Sequence, residues 1–285
     1  MRGTRLVRGA LLFAAGALAS GAIAWGAGSG SGDLRETAVS DGTSIYGLNP
    51  TGVGLPLVGA HGTIGAGDYA SALKAYHDSG DYQKDLNQVG GQAEDYLVSR
   101  LAQLRRKERR CKRRINRSAA TRKQKRRRKK RCRQPPTAIV LDIDETSLSN
   151  YEYLAASNFT NTTGQQALAV AAANTPPVQP TLDLYRLAKS RGMAIFFITG
   201  RPASIPGVRD QTEANLKSAG YTTWNKVILN PSLGGPAIPY KSGERAKIEQ
   251  QGFRIVLNLG DQESDLRGGH ADRAFKLPNP FYFIE

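Results

Sequence analysis

Apolar positions along the chain change period on either side of residue 136. From Asp68, Tyr69, Leu73 and Tyr76, then past Ser79-Gly80 Tyr82, Leu86, Val89, Ala93, Tyr96, Leu97 and Leu101, recur at three- and four-residue steps, the spacing of two amphipathic helices. Gly90 and Gly91 each weaken the middle of the second by about 1 kcal/mol, so its apolar stripe is expected to dock on the domain that follows. After Pro135-Pro136, short β-branched runs alternate with amphipathic stretches. Strands are predicted over 138–141, 194–198, 226–229, 255–259 and near 274–277, and helices over 181–191, 209–219 and 242–251. This alternation implies an α/β fold, a doubly wound parallel sheet preceded by N-terminal helices, and such sheets bind ligands at the carboxyl ends of their strands.

The rest of the chain falls into segments. Residues 1–25 read as a signal peptide or an uncleaved anchor: Arg2, Arg5 and Arg8 precede an uncharged run from Gly9 to Trp25, and Ala22 and Ala24 offer a small-residue cleavage site. The expected location is therefore extracytoplasmic, either secreted or membrane-tethered. Residues 26–65, rich in Gly, Ser and Thr, read as a flexible spacer, 66–104 as the N-terminal helices, 105–133 as a polybasic insert and 136–285 as the core.

Charge changes this picture only locally. The net charge is +16, but Arg105 to Arg133 holds 19 of the 40 basic residues and only Glu108 of the 24 acidic ones. The remaining 21 basic and 23 acidic residues nearly cancel, so the high pI belongs to one segment. It contains no aromatic residue, which gives no support to base stacking or sequence-specific nucleic-acid binding. Its cations suit an anionic cell-surface polymer or lipid, or form a solvated loop without a partner. The segment reads either as a helical hairpin turning near Ser118-Ala119-Ala120 or as a disordered loop. Cys111 and Cys132, the only cysteines, bracket most of it and are expected to form a disulfide in an exported chain.

Candidate chemistry gathers at predicted strand ends. Asp142 and Asp144 follow the first strand, Thr199-Gly200-Arg201 the second, and Asp261 with Asp265 the fourth. Carboxylates two residues apart on an extended strand end face one crevice and repel unless a cation lies between them, a charge that Mg²⁺ held by oxygens supplies. One can then attack phosphorus while the other gives and takes a proton. Asp261 is the natural third ligand, and Asp265, one turn on, can hold a metal-bound water. Thr199 offers a hydroxyl, Gly200 a close backbone approach to phosphate, and Lys241, at the start of a predicted helix, a neutralising charge. Lys247 on the same helix is a rival for that role. Tyr151, Tyr153 and Phe159, in the long stretch before the second strand, either stack on an organic leaving group or pack the insertion onto the domain. His61, His77 and His270 lack ligand spacing and read as structural or surface residues.

With these motifs in this order, Val140–Asn150, Phe197–Pro202, Tyr240–Ser242, Asn258–Leu266 and the ending Lys276–Phe283, the chain resembles the haloacid-dehalogenase (HAD) superfamily. Within it the likeness is to the class B and plant-type acid phosphatases that include vegetative storage proteins. The resemblance implies a HAD-like core with a small insertion over the active site, Asp142 as nucleophile and Asp144 as general acid/base. It further implies Thr199 and Gly200 at the phosphate, Lys241 as the charge-stabilising lysine, and Mg²⁺ on Asp142, the Asp144 carbonyl and Asp261 with Asp265 in support. The function so implied is hydrolysis of small phosphate monoesters through a phospho-aspartate. A catalytically weak polyanion-binding or storage protein on the same fold, or a phosphotransferase, is the alternative. Dehalogenation is disfavoured, because it has no place for an acid in the Asp144 role or for a metal cluster.

Overall fold

In the computed structural model the described residues are 38–39, 67–160, 162–232 and 235–284, all within the unit Gly32–Glu285. The leader, His61 and all of the expected spacer except Ala38–Val39 lie outside them. Among the described residues no helix is long and apolar enough to cross a membrane.

Among the described residues six strands form one sheet: β1 (Ala38–Val39), β2 (Thr137–Leu141), β3 (Ala194–Pro202), β4 (Lys226–Asn230), β5 (Arg254–Gly260) and β6 (Ala274–Lys276). Their order is β1-β6-β5-β2-β3-β4 and every pairing is parallel. The chain leaves β2 toward β3 and β4 on one side and returns to pair β5 on the other, so the strand order reverses at β2 and opens a crevice at its carboxyl end. The edge strand β1 interrupts what the composition marks as a spacer.

Alternate residues of each strand feed different cores, as a period of two requires. Ile139, Leu141, Ile195 and Phe197 join the larger one, shared with the N-terminal helices, whereas Ala138, Val140, Ala194 and Phe196 join a smaller one with Ile248. The larger face carries α1 (Gly67–Asp78), α2 (Asp81–Arg117) and α6 (Gln179–Ser190). α2 buries Tyr82, Leu86, Val89, Gly90, Ala93, Leu97, Leu101 and Leu104. Gly90 is a packing requirement more than a weakness: a Cβ there would lie 2.4 Å from Cβ of Pro180 in α6.

The second of the helices expected within 66–104 runs on unbroken to Arg117, and after a turn at Ser118–Ala120 α3 (Arg122–Lys130) returns beside it. The basic segment is therefore a helical hairpin closed by the Cys111–Cys132 disulfide. α3 buries no residue, and its amino end is held by a capping box between Thr121 and Gln124.

The stretch between β2 and α6 contains two helices, α4 (Tyr151–Ala156) and α5 (Thr162–Ala172). α7 (Val208–Ser218) and α8 (Ala237–Gln250) follow β3 and β4, and α9 (Glu263–Leu266) follows β5. α8 starts five residues before its predicted first residue, Ser242. Pro239 occupies the first turn, where its missing N–H has no intrahelical partner to lose.

Candidate active site

β2 ends at Leu141, and the Asp142 amide donates to the Leu259 carbonyl of β5 at 3.0 Å, which ties the first acidic residue to the neighbouring strand end. The loop that follows turns at Glu145, whose φ of 53° is rare for a side-chain-bearing residue. Its buried carboxylate accepts from the Asn150 amide at 2.7 Å and from the Tyr282 hydroxyl. Burial and the nearby Asp144 push the Glu145 carboxyl up to about 8.

Carboxylate oxygens of Asp142, Asp261 and Asp265 lie within 4.8 Å of one another, all buried. Lys241, from the second turn of α8, donates to Asp142 Oδ1 at 2.6 Å and also to Asp265 Oδ1. Two of the three carboxylates thus share one lysine. Burial, then the Asp265 charge, pushes Asp142 well above the usual carboxylate range despite Lys241, and the same two causes raise Asp261. For Lys241, burial lowers the ammonium, but Asp142 and Asp265 outweigh it and the group is held charged.

Asp261 is fixed by three side chains. Thr146 Oγ1 donates at 2.8 Å, Gln262 Nε2 at 2.7 Å and Asn279 Nδ2 at 2.7 Å, while the buried Lys276 ammonium donates to its carbonyl at 2.6 Å. Asp265 accepts from the Gln262 amide at 2.9 Å, and a Cβ on Gly260 would lie 2.4 Å from the Asp265 Cβ, so this turn requires glycine. Arg245, also buried, donates to the carbonyls of Asp265, Arg267 and Gly269 and clamps the loop around α9.

Asp144 lies apart from this cluster. It takes a bidentate grip from Arg201, Nη2 to Oδ1 at 2.8 Å and Nε to Oδ2 at 3.0 Å, with Asn150 Nδ2 adding 2.8 Å. Burial pushes its carboxyl up, but the Arg201 charge and these hydrogen bonds win and hold it below the ordinary value. Thr199 Oγ1 is 3.5 Å from Asp144 Oδ2 and accepts from the Arg201 amide at 3.1 Å. Gly200 is exposed, and a Cβ there would meet nothing within 4 Å, so space above it is open.

Of the residues singled out in the sequence, Asp142, Asp261, Asp265 and Lys241 form one cluster, with Asp144 and Thr199 beside Arg201. Lys247 is exposed and paired with Glu244 at 2.6 Å, away from them. Tyr151 and Phe159 are not free for a leaving group. Tyr151 stacks on His77 with ring centroids 3.4 Å apart, Phe159 stacks on Phe281, and both are buried. The Tyr153 hydroxyl donates to Asn174 at 2.9 Å, and His270 sits on Glu249. Arg201, Glu145, Lys276 and Asn279 carry no role that sequence alone reveals, although Arg201 sits inside the Thr-Gly-Arg turn, Glu145 inside Val140–Asn150 and the last two inside Lys276–Phe283.

The donor set fits a hard divalent cation: three buried carboxylates against the ammoniums of Lys241 and, at the Asp261 carbonyl, Lys276 leave the cluster short of positive charge.

The family model described as HAD superfamily, subfamily IIIB (acid phosphatase) matches residues 66–285. Stem 28 kDa glycoprotein of Glycine max is 41% identical over 162 residues, 53% of this chain and 61% of that one. Acid phosphatase 1 of Solanum lycopersicum is 38% identical over 155 residues, 51% and 58% of the two chains, and vegetative storage protein 1 of Arabidopsis thaliana 34% over 150, 51% and 54%. Each match spans less than two thirds of the relative. In fold, the chain is similar to the class C acid phosphatase from Bacillus anthracis, with a TM-score of 0.51 and 22% identity over 73% of this chain and 82% of that one.

Proposed function

The chain belongs to the HAD superfamily, subfamily IIIB (acid phosphatase), and on that premise we propose that it hydrolyses small phosphate monoesters through a phospho-aspartate on Asp142. The observation that carries this reading is the position of Lys241 between Asp142 and Asp265, with Asp261 alongside, at the carboxyl ends of β2 and β5.

In this reading an Asp142 carboxylate oxygen attacks phosphorus and the bond to the ester oxygen breaks. A proton on Asp144 passes to the departing alkoxide, so an alcohol leaves. Asp144, now a carboxylate, takes a proton from water as the water oxygen attacks phosphorus, and the Asp142 carboxylate is released with inorganic phosphate. Lys241 offsets the negative charge gathered between Asp142 and phosphate, and Thr199 with the open backbone at Gly200 receives the phosphate oxygens. Arg201 holds Asp144 as an anion in the resting arrangement. The protonating pose therefore needs the Arg201 donors turned to the substrate phosphate. Asp142, Asp261, Asp265 and the Asp144 carbonyl would hold Mg²⁺, which neutralises phosphate and carboxylate charge when bound.

The leader and the disulfide support an exported enzyme. Similarity to vegetative storage proteins favours one second reading, a storage-type protein with little turnover.

The test is phosphate release from an aryl phosphate, with Mg²⁺ and with chelator, by the full chain and by Asp142→Asn. Magnesium-dependent release that the variant loses by at least a thousandfold is expected. No release from several esters between about pH 4 and 8 would transfer the assignment to storage. Release from the aryl phosphate that rises with added alcohol, with phosphate recovered on the alcohol, would mark a phosphotransferase.

A further inference from the structure

The basic hairpin lies at the opposite end of the sheet from the acidic cluster. Tyr82, at the start of α2, packs edge-on against Phe281 of the carboxyl-terminal segment whose Asn279 and Tyr282 reach Asp261 and Glu145. Eighteen residues later Arg100 bonds Asp272 at 3.0 Å, and Asp272 also takes Arg254, the first residue of β5. α2 therefore runs against the strands, from their carboxyl ends to their amino ends. Its last buried residue is Leu104, so Arg105 to Arg117 project roughly 20 Å past the domain. The returning chain enters at the same edge, where the Pro136 carbonyl accepts from the Arg254 amide at 2.8 Å. Between that edge and Asp142 runs all of β2, about 16 Å.

The cations do not form one flat face. A cleft of about 630 Å³ between α2 and α3 is lined by Lys112, Arg122, Lys125, Arg126, Lys129 and Lys130, among others. A second, of about 530 Å³, is lined along α2 by Arg106, Lys107, Arg109, Arg110, Arg113 and Gln103. At 100° per residue, Lys112 lies roughly 140° around the helix from the centre of that second group. A planar surface meets one cleft at a time, whereas a flexible chain can follow both.

We propose that this hairpin binds a flexible linear polymer of phosphate groups through its backbone charge, leaving the catalytic end of the sheet open. Thirteen of its nineteen cations are arginine, whose planar fork matches phosphate oxygens. α3 has no apolar residue with which to enter a bilayer, and the segment has no aromatic residue on which a base could stack. The proposal does not depend on the catalytic assignment above.

The experiment measures binding of the full chain to long-chain inorganic polyphosphate, to single-stranded DNA of equal charge and to phosphatidylglycerol vesicles, across salt. Two triple variants go with it, Arg126→Gln/Lys129→Gln/Lys130→Gln and Arg106→Gln/Arg110→Gln/Arg113→Gln, each checked by circular dichroism for retained helix. Expected is tightest binding to polyphosphate, with each triple lowering the slope of log affinity against log salt by about 2 and the affinity at least tenfold near 0.15 M salt. Aryl-phosphate turnover, where measured, stays unchanged by the polymer and by either triple. The proposal fails if vesicles or DNA bind more tightly than polyphosphate, or if one triple abolishes binding and the other has no effect. It fails equally if both triples bind polyphosphate as the parent does, which would put the polymer elsewhere.

Discussion

Arg201 and Asp144 form a planar, two-bond ion pair, while two residues away Asp142 shares Lys241 with Asp265. The guanidinium is further fixed by Nη1 donating to Thr212 Oγ1 at 3.0 Å. Neighbouring carboxylates are thus driven apart: Asp144 is held ionised, and Asp142 is pushed toward protonation. This resting order is the reverse of the one the proposed reaction uses, in which Asp142 attacks as a carboxylate and Asp144 carries the proton, so substrate phosphate has to draw Arg201 away from Asp144 before the acid can act.

Arg201→Gln leaves Asp144 with Asn150 at 2.8 Å and the long 3.5 Å contact of Thr199. Removing one partner of a buried ion pair costs about 3–5 kcal/mol, and the partial exposure of Asp144 places this loss at about 3. A group whose pKa is depressed on folding contributes stability above its unfolded value and loses it as pH falls through the folded one. The gap between parent and variant in urea unfolding should therefore be full at pH 7 and shrink below about pH 4. A gap that persists unchanged at pH 2.5 would show that the arginine acts by packing.

Metal removal has the opposite sign. Asp142 and Asp261 have raised carboxyl values in the folded protein, so between their unfolded and folded values the native state binds more protons and stability falls as pH rises. In chelator the protein should thus lose stability from pH 5 to pH 7. Mg²⁺ at a hundredfold over its Kd should return about 2.7 kcal/mol, a rise in Tm of roughly 5–10 °C, with the larger rise at pH 7. A Tm indifferent to Mg²⁺ at both pH values would deny the acidic cluster a metal.

What could be read in advance follows from which features are local. Strand positions 138–141 and 255–259 were legible because both faces of the sheet are covered, which makes each strand a continuous apolar run. Asp142, Asp261 and Lys241 were legible through motifs at strand ends. The grip of Arg201 on Asp144 joins residues 57 apart and the Glu145–Tyr282 bond residues 137 apart, and neither carries a periodic signal. The start of α8 was obscured by Pro239, and β1 by its two-residue length and its glycine- and serine-rich surroundings.

Gly90 and Gly91 separate propensity from packing. Each glycine-to-alanine change gains about 1 kcal/mol of helix propensity. At Gly90 the new methyl meets Pro180 at 2.4 Å, and overpacking of that kind costs about 1–3 kcal/mol. At exposed Gly91 it meets nothing within 4 Å. Gly91→Ala should raise the urea midpoint and Gly90→Ala should lower it. Two rises would mean that α6 yields to the methyl.

The hairpin offers a last test, because its helices have little besides each other. α3 consists of eight arginines and lysines with one glutamine, buries no residue, and sits beside the equally cationic end of α2. Like charges at this density oppose helix formation, and so short a helix is marginal in water by itself. What opposes unfolding is the Thr121–Gln124 capping box and the Cys111–Cys132 bond, which closes a loop worth roughly 3 kcal/mol of unfolded-state entropy. The core does not share that dependence, since α2 stays docked through Leu104. Cys111→Ser/Cys132→Ser should therefore lose helical ellipticity equivalent to α3 while the main unfolding transition stays within about 1 °C of the parent's. Raising salt to about 1 M, where the screening length falls to roughly 3 Å, should restore part of the lost signal. A core transition that falls along with the helix signal would mean that the hairpin supports the domain it projects from.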